Sequence, residues 1–307
     1  MSLEECLQHI TKDNAPVSHP ILIAMSDLSP GELGKFARVW HKVPLDRKKK
    51  VVEGLVEMSE HSAGMDFSAV FKLCLKDPDE QVRDKAITGL WEFEDRSLIL
   101  SLLELLKSDS SPKVRASAAM GLGKFATLAQ DGKVLSKDGE QVGQSLMEAL
   151  SNENEGLEVR RRALESVASF NTSAVNGYIQ WAYESGDLDL KCSSLYAMGR
   201  TGDSPWLSLI VTEMQSPIAA LRYEAATACG EIDDEEAAPH LIPLLQDDDL
   251  QVQLAAIVAL GKIGGSLAKR ALKTCLKSGD PALEDAIMDS MEAIKATEDS
   301  PGFNYDP

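Results

Sequence analysis

Aromatic residues are scarce in this chain: Phe, Trp and Tyr together make up 5% of its 307 residues. β-Sheets draw on aromatic and β-branched side chains to fill their faces, so the scarcity argues against a sheet-rich fold. Long hydrophobic runs are missing as well. Nowhere does the sequence sustain the 18 or so consecutive apolar residues that a membrane-crossing helix needs. The opening stretch MSLEECLQHITK lacks the basic and apolar regions of a secretory leader. The expectation is a cytoplasmic protein that engages no membrane.

Reactive groups are thinly spread. Cys6, Cys74, Cys192, Cys229 and Cys275 are odd in number, unclustered and without a C-x-x-C pair, which indicates neither a zinc site nor a disulfide framework. His9, His19, His41, His61 and His240 never stand at metal-ligand spacing such as H-x-x-x-H. No P-loop, G-x-G-x-x-G or G-x-S-x-G occurs, so phosphate cradles and nucleophile elbows have no candidate. No catalytic residue, metal or cofactor is assigned, and the reading leans against an enzyme.

Positive charge is the last shortage. Lys and Arg number 31 against 49 Asp and Glu, a formal charge of −18, which repels phosphate backbones and anionic membrane surfaces. Nucleic acid is not an expected partner. The one basic run, Arg47-Lys48-Lys49-Lys50, reads as a solvated helical surface, because consecutive residues point in different directions around a helix. The acidic runs Asp233 to Glu236 and Asp247 to Asp249 suit helix N-termini and lack the spaced ligands and glycine of a calcium loop.

What the sequence does have is Leu, Ala and a period. Hydrophobic residues amount to 44%, and the block Asp79 to Leu90 returns in weakened form with anchors at Val82, Val114, Val159, Leu190, Leu221, Val252 and Leu283. Successive spacings are 32, 45, 31, 31, 31 and 31 residues, so five of six agree and one carries an insertion, near residues 127–143. A fixed period of this size marks a repeat array. Counting from each anchor, position +4 is Ala, Ser or Ile, position +8 is always apolar, and +11 is Phe or Ile everywhere except Thr201. Offsets 0, 4, 8 and 11 form one stripe of an α-helix. Glycines at +9 (Gly123, Gly199, Gly230, Gly261) are expected to let neighbouring helices approach closely. Asp77-Pro78, Ser111-Pro112, Ser216-Pro217 and Asp280-Pro281 read as helix starts, and a second apolar segment lies between successive anchor helices. The unit is a helix-turn-helix.

The pattern D-x-x-V-R-x-x-A-x-x-A-L-G resembles the second helix of the HEAT-repeat family, in particular the short bacterial form also seen in phycobilisome-lyase-type repeats. Asp248 to Gly264, DDLQVQLAAIVALGKIG, is the clearest copy, and Ala237 to Leu245, AAPHLIPLL, is similar to the first helix of such a unit, kinked at Pro243. The resemblance covers roughly residues 66–296. It implies an all-α, right-handed α-solenoid of about seven HEAT-like hairpins plus a degenerate N-terminal pair. The expected organisation is a helical cap over residues 1–62, an array over 63–296, and a disordered tail over 297–307 in which Phe303 and Tyr305 are available to a partner. The insertion is expected to be a small hairpin or loop. One enzymatic HEAT family, the deoxyhypusine hydroxylases, builds its iron site from His-Glu pairs, and this chain has no His-Glu dipeptide.

In HEAT-like folds the second helix lines the concave surface, and positions +2 and +6 lie one turn apart on its outer face. These carry Cys192 and Tyr196, Tyr223 and Thr227, Leu254 and Val258, with Met120 earlier and Arg161 and Arg162 between. Apolar side chains recur where water would favour charge, which marks an interaction surface. The expected function is therefore a non-enzymatic scaffold or adaptor binding another protein through Met120, Arg161, Arg162, Cys192, Tyr196, Tyr223, Leu254 and Val258. The alternative, implied by the phycobilisome-lyase resemblance alone, is a bilin lyase-like factor that attaches, removes or chaperones a tetrapyrrole.

Overall fold

A computed structural model of the chain describes residues 1–12, 16–62, 64–277 and 280–299. Among them are 18 α-helices linked by turns and short 3-10 segments, with no strand. No helix among the described residues is long and apolar enough to cross a membrane. The helices gather into two compact units, residues 1–166 and 167–307.

In the first unit, α1 (Leu3–Ile10) and α2 (His19–Ile23) precede the pairs α3 (Pro30–Trp40) and α4 (Leu45–His61), α5 (Ser68–Cys74) and α6 (Glu80–Gly89), α7 (Arg96–Ser108) and α8 (Pro112–Gln130), and α9 (Ser136–Ser151) and α10 (Leu157–Val167). The second unit holds α11 (Ser173–Glu184) and α12 (Leu188–Thr201), α13 (Leu207–Glu213) and α14 (Ala219–Ile232), α15 (Ala238–Leu241) and α16 (Leu250–Ile263), and α17 (Gly265–Leu276) and α18 (Pro281–Asp299). The seven hairpins expected from the repeat are present, with α3 and α4 as the irregular pair before them. The chain passes from α-helical to 3-10 geometry at Ile242, where Pro243 withholds an amide donor. The last helix runs through Asp299, and residues 300–307 of the expected tail, with Phe303 and Tyr305, lie outside the described residues.

The stripe read from the sequence is the core. All seven anchors and all seven +4 residues are buried, as are Leu90, Leu122, Val167, Met198, Cys229 and Leu260 at +8; Met291 is half-buried. Removing such side chains from water is worth about 25 cal/mol per Å², and a lone hairpin offers no second surface to bury its stripe against. Second helices therefore pack side by side within each unit, α4 on α6 on α8, and α12 on α14 on α16 on α18.

Three local expectations are corrected. Residues 127–143 form no hairpin: they lengthen α8 and α9, leaving only residues 131–135 as a turn. Gly139 lies inside α9, where the lack of a Cβ lets the helix pass close to α8, since a Cβ there would lie 2.7 Å from the Ala129 methyl, and Arg96 grips the neighbouring Asp138 carboxylate through a two-pronged ion pair. Second, the basic run is not wholly solvated. Arg47 and Lys48 are buried, Arg47 donating to the His9 carbonyl (3.0 Å) and Lys48 to Asp77 (2.7 Å). Third, two helix starts fall later than their prolines suggest. α6 is capped by Asp79, and α14 starts after Ile218, which makes no side-chain cap; the Asp77 carboxylate instead accepts from the Trp40 indole, Lys48 and the Asp79 amide, and the Ser216 hydroxyl from the Ile218 amide. Pro112 and Pro281 do open α8 and α18.

Candidate functional site

Two regular contacts set the register of the second helices. The first is steric. A Cβ on Gly199 would stand 2.8 Å from the Ala228 Cα, one on Gly230 2.8 Å from the Ala259 Cα, and one on Gly261 2.7 Å from the Ser290 Cβ. Gly123 meets Ser166 in the same way in the first unit. In each case the glycine at +9 faces the small residue at +7 of the following repeat.

The second contact is electrostatic and uses position +1. Arg83 forks onto Asp109, Arg115 onto Glu155 and Arg222 onto Asp247, each through two bonds of 2.7 to 2.8 Å. The same guanidinium groups donate to the carbonyls of Asp77, Asp109 and Ser216, each six residues earlier. One side chain thus ties the turn of its own hairpin to the next hairpin. Lys48 takes the same place one repeat earlier, since Gly54-Leu55 matches Gly89-Leu90. Where the sequence has Lys191, the acid is Glu213 (2.7 Å), which also accepts from the Tyr183 hydroxyl (2.6 Å). Burial, then the hydrogen bond to Glu213, pushes the Tyr183 phenol up to about 12. Gln253 keeps only the carbonyl contact, to Asp247 (2.6 Å). Arg222 and Arg115, by their hydrogen bonds, hold Asp247 and Glu155 below the usual carboxylate range. These charges are structural. Burial likewise pushes the Cys229 thiol up to about 12, leaving little of the thiolate that would react.

With the register fixed, the outer positions of the second unit line up. Tyr196 on α12, Tyr223 on α14 and Val258 on α16 are 40%, 38% and 46% exposed. Tyr223, Leu254 and Val258 line a groove of about 220 Å³ between α14 and α16, with Thr227, Gln251 and Lys262. Cys192 lies half-buried one turn before Tyr196 on α12, which packs on α14. The expected residues of the first unit differ in character. Met120 is exposed on α8, whereas Arg161 pairs with Glu158 (2.9 Å) and Arg162 with Glu158 and Glu165 (2.8 Å each). The sequence reading passed over Leu188 and Leu250, both exposed in the first turns of α12 and α16; position −2, one turn ahead of Cys192 and Leu254, would have revealed them.

Two larger clefts carry mixed charge. One, about 940 Å³, is bordered by His19, Asp46, Arg47, Lys50, Glu53 and Glu57, and the other, about 730 Å³, by Asp247, Asp248, Arg270, Cys275 and Asp280. Among the described residues no group of three or more His, Cys, Asp or Glu side chains is placed to hold a metal ion.

Solved structures similar to the chain include the complex of CpcE and CpcF of phycocyanin lyase from Nostoc sp. PCC7120, at 18% identity, covering 76% of this chain and 96% of that one with a TM-score of 0.49. Importin beta is 12% identical, over 95% of this chain and 44% of that one, with a TM-score of 0.49. Human deoxyhypusine hydroxylase is 13% identical, over 96% of both chains, with a TM-score of 0.37. Values this low carry nothing about what the chain does. No curated protein matches it. A family model described as HEAT repeats matches residues 68–155 and 205–292, more than half of the chain. The chain belongs to the HEAT-repeat family.

Proposed function

We propose that this chain is a cytoplasmic, non-enzymatic scaffold or adaptor that binds another protein along the outer face of its second helices. One observation carries the reading: Tyr196, Tyr223 and Val258 stand exposed on the outer face of three neighbouring second helices, Tyr196 and Val258 at +6 and Tyr223 one turn earlier at +2, and Tyr223, Leu254 and Val258 share a groove. Exposed aromatic and aliphatic side chains gathered on one face are what interfaces use to exclude water. Cys192 extends this surface on α12, and Met120 offers a similar contact on the first unit. Arg161 and Arg162 are held by carboxylates of their own helix, which suits them to the polar rim rather than the centre. Nothing in the groove favours the bilin lyase-like alternative.

The test is affinity capture from extract with the wild type and with the double variant Tyr196→Ser and Tyr223→Ser. Both side chains are exposed, so the helical circular dichroism signal is expected to be unchanged. A stoichiometric partner held by the wild type should be lost by the variant. Equal capture by a correctly folded variant rejects the surface.

A further inference from the structure

The exposed face of the second unit has an electrostatic frame that its apolar residues alone do not reveal. Three rows cross α12, α14 and α16: Leu188, Ala219 and Leu250 in the first turns, then Cys192, Tyr223 and Leu254, then Tyr196, Thr227 and Val258. The next row, Arg200, Glu231 and Lys262, is internally paired, Glu231 meeting Lys262 at 2.5 Å and Arg200 at 3.7 Å. On α18 the rows change character. The contact between Gly261 and Ser290 puts α18 in the same register as α16, so Asp285 and Asp289, both exposed, occupy the places of Leu254 and Val258. Acids also border the face at the helix N-termini, with the N-cap Asp187 and Asp189 at α12 and Asp248 and the N-cap Asp249 at α16. Residues 167–307 contain nine Lys and Arg against 22 Asp and Glu.

We infer that the occupant of this face is a basic amphipathic helix of a partner protein; this rests on the docking surface proposed above and names its ligand. The charge decides among occupants. A second copy would set 22 acids against 22, and an anionic surface is repelled outright, whereas Lys and Arg side chains find carboxylates at the α18 flank and the N-terminal edge. The spacing decides the conformation. Packed helix axes lie about 8–10 Å apart, and a helix repeats its face about every 10.5 Å at i and i+7. Apolar residues at that interval can seat in successive interhelical grooves while the polar face turns toward the acids. The Arg200, Glu231 and Lys262 row, carrying one net positive charge, keeps the basic side of the partner toward the helix N-termini.

The test uses the full chain and two synthetic amphipathic helices with the same leucines, one with lysine and one with glutamate at every polar position, followed by fluorescence anisotropy. The lysine helix should bind at least about tenfold more tightly than the glutamate helix and weaken as salt is raised. Asp285→Asn with Asp289→Asn should weaken it by about fivefold, and Tyr223→Ser with Val258→Ser by at least as much, each with unchanged circular dichroism. If the serine pair weakens binding and the asparagine pair does not, the basic character is overturned and the docking surface stands. If the serine pair has no effect, the lysine helix is adhering to acidic surface elsewhere, and both readings fall. Equal binding of the two helices also overturns the basic assignment.

Discussion

At the scale of single residues, two ion pairs of similar length do different work. Arg222 reaches Asp247 at 2.7 Å with side chains only 16% and 7% exposed, while Lys35 meets Glu4 at 2.9 Å with both side chains largely in water. An exposed pair gives back its Coulomb energy in solvation and side-chain entropy. A buried one, once broken, leaves a charge with neither partner nor water. Arg222→Ala should therefore lower stability by about 2–4 kcal/mol, read as a fall in the urea midpoint, and Lys35→Ala should leave the midpoint almost unmoved. The pH dependence follows from the same pairs. The Arg222 and Arg115 hydrogen bonds depress Asp247 and Glu155 in the folded state, so their contribution is complete above the unfolded carboxylate values near pH 4. It is lost as the pH falls further, through the folded values. Below about pH 4 the midpoint should drop steeply in the wild type and less steeply in Asp247→Asn, which has no carboxylate to protonate. Identical slopes would mean that the ladder does not contribute to acid stability.

At the scale of the helix, glycine has opposite meanings at two positions. Gly230 lies where α14 touches α16, and any Cβ there meets the Ala259 backbone at 2.8 Å, so the two helices must separate to admit it. Gly34 sits within α3 with nothing inside 4 Å of an added Cβ. Gly230→Val should cost about 3 kcal/mol, the upper end for overpacking, because backbone rather than a mobile side chain must yield. Gly34→Ala should instead raise stability by about 0.5–1 kcal/mol. Thermal midpoints moving in opposite directions would confirm the distinction. The sequence made the +9 glycines and the buried stripe legible because both repeat with the period of the chain. It hid the ladder's first rung. What buries Lys48 is Asp77, 29 positions further on, whose carboxylate also accepts from the Trp40 indole across 37 positions, and a run of four basic residues gives no local sign of such a partner. Within residues 127–143 the Asp131-Gly132 pair does mark a turn, but Asp138-Gly139, which carries the same local signal, lies inside α9, because the close approach of Ala129 to Gly139 is tertiary. Of the candidate site, the apolar positions on α12, α14 and α16 could be read from offsets alone. The intrahelical partners of Arg161 and Arg162 could also have been read, being three or four residues away, but the offsets used followed a single face and passed them by.

Across the whole molecule, one charge imbalance acts on two kinds of interaction that salt affects differently. The formal charge of −18 is unevenly held, −5 over residues 1–166 and −13 over residues 167–307, so the second unit carries most of the self-repulsion. Repulsion among exposed carboxylates acts through solvent over distances near the Debye length, which falls from about 30 Å at 0.01 M to about 8 Å at 0.15 M ionic strength. The ladder pairs work at 2.7 to 2.8 Å between largely buried atoms, where ions do not enter and screening is slight. Added salt therefore removes more repulsion than attraction. The thermal midpoint at neutral pH should rise between low and physiological ionic strength, and hydrogen exchange should slow more in residues 167–299 than in residues 1–166. A midpoint that falls with salt would mean that exposed ion pairs, not the buried ladder, supply the net electrostatic stability. Slowing confined to residues 1–166 would show that the acid excess of the second unit is already neutralised within its own fold, and such a surface would have little attraction left for a basic partner.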